Sequence, residues 1–127
     1  MFENDSEVLS SFVEECTERI FSLEAGLLKL ERSPEPTDEL LNSLFRDAHS
    51  IKAGANLLGL CALETVAHRL ENVLDGLRTR RLLTGPSLCQ ALLDGLDLLQ
   101  ELVGEPSKPP RADLILRLSV LTALADS

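Results

Sequence analysis

Apolar residues recur along this chain at alternating spacings of three and four, the repeat of an α-helix that buries one stripe. Leu9, Phe12, Cys16, Ile20, Leu23, Leu27 and Leu30 form the first run. With Asp5 or Ser6 as N-cap, it predicts a helix over about residues 6–32. Ser33-Pro34-Glu35-Pro36 cannot continue that helix, because proline lacks the amide and constrains its predecessor, while Thr37 or Asp38 can cap the next. Leu41, Leu44, Ala48, Ile51, Ala55 and Leu58 then share one stripe that ends near Gly59, a residue suited to a left-handed C-terminal position. A third helix is expected over about residues 61–81, burying Leu63, Val66, Ala67, Leu70, Val73, Leu74 and Leu77. Arg78, Arg80 and Arg81 gather at its end, where cations offset the exposed carbonyls. Thr84-Gly85-Pro86 punctuates the chain, and Leu88, Leu92, Leu96, Leu99 and Val103 mark a fourth helix.

Four amphipathic helices on short connections imply an all-α, antiparallel four-helix bundle over about residues 6–104. A Pro-rich connector at about residues 105–110 leads to a fifth helical stretch at about residues 111–125. That stretch is apolar on nearly every side, so it is expected to pack on its own bundle. The 127 residues suffice for one core, and a single domain over 1–127 is expected.

The composition narrows the function. Leu and Ala dominate, Trp and Tyr are absent, and β-branched residues are few, which agrees with helix throughout. A formal net charge of -9 repels phosphate backbones, so no nucleic-acid partner is expected. Cys16, Cys61 and Cys89 are odd in number and set in apolar helical patterns, which points to buried free thiols rather than a disulfide framework or a zinc site. The acidic start does not resemble a signal peptide, and the apolar tail from Leu114 to Ala125 is short and interrupted by Arg117. A cytoplasmic, monomeric domain with no membrane insertion is expected.

The chemistry concentrates on the second and third helices. His49 lies roughly 120° from the centre of its helix's apolar stripe, so periodicity alone predicts that it is exposed. Lys52, three residues on, sits nearer the core edge of the same face. On the third helix Glu64, His68, Glu71, Asp75 and Arg78 fall on the outer side, with Glu71 at a boundary roughly 100° from the stripe. If the two helices are neighbours, Glu71 can accept a hydrogen bond from Nδ1 of His49, which leaves Nε2 unprotonated and nucleophilic. The Lys52 ammonium can then offset charge on an arriving phosphoryl group. Small residues beside the histidine, Ala53 and Gly54, leave room for a partner's loop. No Walker-type glycine loop or kinase catalytic loop is present, so no cofactor is expected to bind and any phosphoryl group comes from a partner.

Residues 44 to 78 resemble a histidine-containing phosphotransfer (HPt) domain, above all the amino-terminal one of chemotaxis-type histidine kinases. The resemblance is carried by Ala48-His49-Ser50-Ile51-Lys52, by Phe45-Arg46 before it, by Gly59-Leu60, and by His68 through Glu71 to Leu74-Asp75, followed by Arg78. It implies a helical bundle in which His49 is the phosphoacceptor and Glu71, Lys52 and His68 belong to its network. Phe45, Ala53, Gly54 and Asn56 would face the partner. Ala53 stands where the family usually carries glycine, a difference that bears on partner fit. The implied partners are the ATP-binding domain of a histidine kinase, which would supply ATP and Mg2+, and a receiver domain whose aspartate takes the phosphoryl group. On this reading the domain is a carrier rather than an enzyme, and a longer parent chain would be a histidine protein kinase.

Two rival readings remain. A metal-binding bundle would use His49, His68, Glu71 and Glu64 or Asp47, but the Glu-x-x-His spacing of bundle metal sites is missing, so no metal is expected. A non-catalytic adaptor bundle would leave His49 incidental.

Overall fold

A computed structural model describes residues 5–105, 115, 116, 118–120 and 123, with side chains from Glu7 onward. Four long helices follow one another: α1 (Asp5–Glu31), α2 (Asp38–Leu57), α3 (Cys61–Arg78) and α4 (Pro86–Gly104). Each packs against its neighbours in a closed ring, α1 on α2, α2 on α3, α3 on α4 and α4 back on α1. This is the antiparallel four-helix bundle expected of short connections. Its core is leucine-rich, with Leu23, Leu30, Leu41, Leu44, Ile51, Leu63, Leu74, Leu92 and Leu99 sealed from solvent.

The ends of the helices follow from local chemistry. The Thr37 hydroxyl accepts the Leu40 amide at 3.1 Å and caps α2, and Pro86 occupies the first turn of α4. At the end of α2 Gly59 takes φ 70°, and the Leu60 amide turns back to the Ala55 carbonyl at 2.9 Å. This is the left-handed stop expected of that glycine. The third helix ends at Arg78, three residues before the expected boundary, because the same device recurs without glycine. Arg80 adopts φ 64°, and the Arg81 amide reaches the Gly76 carbonyl at 2.8 Å. The arginines there seek carboxylates: Arg80 reaches Asp38 at 2.7 Å, while Arg78 and Arg81 hold Asp75 at 2.6 and 3.2 Å.

Other expectations change with packing. Leu9 is 39% exposed although it continues the apolar stripe of α1. With 27 residues α1 outruns α2, α3 and α4, which have 20, 18 and 19, so its first turns overhang the bundle. Leu58 is half-buried rather than core, since it lies past the last turn of α2. Cys16 and Cys89 are buried, but Cys61 is exposed because it opens α3 at the tight α2–α3 turn. Burial and the nearby Glu15 carboxylate push the Cys16 thiol up to about 12, so it stays protonated.

The expected connector beyond Glu105 lies outside the described residues. Residues 115, 116, 118–120 and 123 are helical. Leu118 is fully buried, and its side chain lies 3.5 Å from where a Cβ on Gly95 would stand. Leu118 thus packs against α4. No helix among the described residues is long and apolar enough to cross a membrane.

Candidate functional site

The contact between α2 and α3 is the most extensive in the bundle. On its solvent edge, positions 45, 49, 52 and 56 of α2 line one side, at spacings of four, three and four. Positions 78, 71 and 64 of α3, seven apart and running the other way, line the opposite side. The result is a ladder of side-chain pairs. Arg78 lies over the Phe45 ring at 4.1 Å, His49 and Lys52 meet Glu71, and the Asn56 amide donates to Glu64 at 2.8 Å.

The central rung holds the chemistry. His49 is 54% exposed at its side chain, as its place off the apolar stripe predicts, and its Nδ1 lies 2.5 Å from Oε2 of Glu71. Glu71 itself is buried, and its Oε1 accepts from the Lys52 ammonium at 2.8 Å. Burial raises the proton affinity of the Glu71 carboxyl, but hydrogen bonds from Lys52 and His49, reinforced by their charges, outweigh it. The carboxyl is held below the usual glutamate range. An ionised carboxylate can only accept, so Nδ1 carries the proton and the lone pair of the neutral ring sits on Nε2. Nε2 has no hydrogen-bond partner among the described residues.

Other expected site residues divide. His68 is exposed and hydrogen-bonded to none of the described residues, so the structure does not join it to the His49–Glu71–Lys52 network. Lys52 is engaged with Glu71 rather than standing free beside Nε2. Ala53 is exposed one turn after His49, at the edge where a partner would approach. Gly54 is different. A Cβ there would come 2.4 Å from the Phe12 ring, so its small size serves the close approach of α1 and not a visiting loop. Asp47 also turns away from His49, pairing with Arg19 of α1 at 3.3 Å, which separates it from the ligand set a metal reading would need.

Two contacts escape a reading of spacing alone. The Phe45 ring stacks on His49 with centroids 5.9 Å apart and planes 15° from parallel. Arg78 covers the Phe45 ring and is itself tied to Asp75. The available signal was the four-residue step from Phe45 to His49, which stacks side chains on one helical face. The matching seven-residue step from Glu71 to Arg78 returns to the same face of α3.

Comparison with known proteins places the chain in a family. The family model of the Hpt domain matches residues 7–102. The chain belongs to the Hpt domain family. It is 39% identical over 100 residues to the chemotaxis protein CheA of Rhizobium meliloti (strain 1021), a match covering 76% of this chain and 13% of that protein. The chain therefore spans a small part of the curated relatives it matches. Among solved structures, the CheA phosphotransferase domain from Thermotoga maritima superposes with a TM-score of 0.73 at 32% identity, covering 80% of this chain and 96% of that one. The phosphorylated P1 domain of CheA3 in complex with CheY6 from R. sphaeroides shares the fold, with a TM-score of 0.76 at 23% identity over 92% of this chain and 96% of that one.

Proposed function

We propose that His49 is the phosphoacceptor of a two-component phosphorelay, receiving its phosphoryl group from the ATP-binding domain of a histidine kinase and passing it to a receiver-domain aspartate. One observation carries this reading: an exposed imidazole bonds through Nδ1 to a buried, ionised carboxylate, and its other nitrogen faces solvent. In the forward step the Nε2 lone pair forms the N–P bond, while the bond from phosphorus to the leaving oxygen of ADP breaks and that oxygen keeps the pair. The Nδ1 proton stays on the ring, and Glu71 offsets the positive charge the ring acquires. In the return step an aspartate oxygen attacks phosphorus and the N–P electron pair goes back to Nε2.

Lys52 keeps Glu71 ionised and adds positive charge near the phosphoryl group. ATP and Mg2+ belong to the kinase partner, and this domain binds neither. Phe45, Ala53 and Asn56 form the face that meets partners. The R. sphaeroides relative, a phosphorylated P1 domain bound to CheY6, supports a receiver domain as the second partner. On this reading the domain is a monomeric cytoplasmic carrier and the histidine kinase activity belongs to a longer parent chain. The net charge of -9 argues against nucleic acid as a partner.

The test is labelling by a chemotaxis-kinase ATP-binding domain with radioactive ATP. An acid-labile, base-stable label lost in His49→Gln but retained in His68→Gln supports the carrier. A label absent from the wild-type chain, or retained in His49→Gln, rejects it.

A further inference from the structure

We infer that Phe45, clamped by Arg78, is a positioning residue for His49, a second constraint on the ring beside Glu71; this rests on the phosphoacceptor reading above. A half-exposed imidazole held at Nδ1 alone can swing until that hydrogen bond opens, which redirects the Nε2 lone pair and lets the proton settle on either ring nitrogen. The Phe45 ring lies nearly parallel to the imidazole, planes 15° apart and centroids 5.9 Å apart, the range of an offset stack. It removes that swing.

Phe45 is only half-buried and needs its own support. Arg78 provides it by placing its guanidinium 4.1 Å from the Phe45 ring centroid, within cation–π range. The guanidinium is held in turn by Asp75 at 2.6 Å, and Asp75 is shared with Arg81 at 3.2 Å. Helix α3 therefore reaches His49 by two routes, directly through Glu71 and indirectly through Asp75, Arg78 and Phe45.

The stack also bears on the chemistry. As Nε2 forms its bond to phosphorus and the donor's leaving oxygen takes the electron pair, the ring keeps its Nδ1 proton and becomes cationic. A cationic imidazole is attracted to the negative face of Phe45 more than a neutral one. Phe45 thus favours the ring orientation and the charge state that transfer requires, without touching the reacting atoms.

The experiment uses the 127-residue chain with phosphoramidate, a small phosphodonor that needs no docking face, so reactivity is separated from partner recognition. Phe45→Leu keeps the bulk and removes the π face. It is expected to slow labelling of His49 roughly two- to tenfold, as expected for loss of one aromatic pair. It should also shift the His49 ring 15N signals from a single Nδ1–H tautomer toward a mixture. Phe45→Tyr should restore both readouts, and Arg78→Leu should move both in the same direction as Phe45→Leu. Wild-type rate and tautomer in Phe45→Leu would overturn the inference, as would equal slowing in the Leu and Tyr variants with the tautomer unchanged. If phosphoramidate leaves the wild-type chain unlabelled, the phosphoacceptor reading fails, while the 15N tautomer pattern still decides the role of Phe45.

Discussion

Nδ1 of His49 sits 2.5 Å from Oε2 of Glu71, so the exposed residue that would react is oriented by a buried one on the next helix. Removing the acceptor frees the proton to occupy either ring nitrogen. Glu71→Ala is expected to slow phosphorylation of His49 roughly 10- to 100-fold, by analogy with the loss of the carboxylate that orients a metal-binding histidine. The helical signal in circular dichroism should persist. An unchanged rate would reject tautomer control by Glu71.

The same carboxyl sets an acid limit. Its folded-state proton affinity is depressed, so its contribution to stability is fully present above the unfolded glutamate value of about 4.3. That contribution is lost as pH falls through the lower folded value, where protonation also ends simple acceptance from Nδ1. Lys52→Met removes the strongest of the depressing contacts and should move the Glu71 midpoint upward in a carboxyl 13C titration. A midpoint that does not move would show that Lys52 has no hold on Glu71.

Neighbouring small residues should behave oppositely. Gly54→Ala drives a methyl into the Phe12 ring, and overpacking costs of about 1–3 kcal/mol are set against a helix-propensity gain of about 1 kcal/mol. A lowered unfolding midpoint with normal phosphoramidate labelling is expected. Ala53→Arg, on the exposed edge one turn from His49, should leave stability and phosphoramidate labelling alone and slow transfer to a receiver domain. Equal receiver transfer in Ala53→Arg and wild type would remove Ala53 from the docking face.

Arg80 carries a left-handed backbone without being glycine. Arg80→Gly relieves about 1 kcal/mol of conformational cost and loses an exposed ion pair to Asp38 of similar or smaller worth. The urea midpoint should therefore change little. Arg80→Val, β-branched and without the ion pair, should lower it clearly; equal midpoints for the two variants would contradict a left-handed Arg80.

Leu118 tests whether the C-terminal segment completes the core. Fully buried near Gly95 and Leu70, it should cost about 2–5 kcal/mol when cut to alanine, read as a fall in the urea midpoint. A neutral Leu118→Ala would mean that the tail does not pack there in solution.

Much of this was legible in the residue pattern. The stripes of α2 and α3, the exposure of His49, the boundary position of Glu71, the Thr37 cap and the Gly59 stop all follow from helical periodicity and local backbone preference. Periodicity assigns each side chain an angle around its own axis. It says nothing about how far one helix slides along another. That register, set by packing across the core, decided that Glu71 meets His49 and Lys52 while His68 stands apart. It also decided that Gly54 faces Phe12, that Asp47 turns to Arg19, and that Arg78 reaches Phe45. The sequence by itself determined which helices form and which faces they bury, because those choices are local. The tertiary structure alone decided which side chains share a rung, because contacts between helices depend on the relative placement of two rigid bodies.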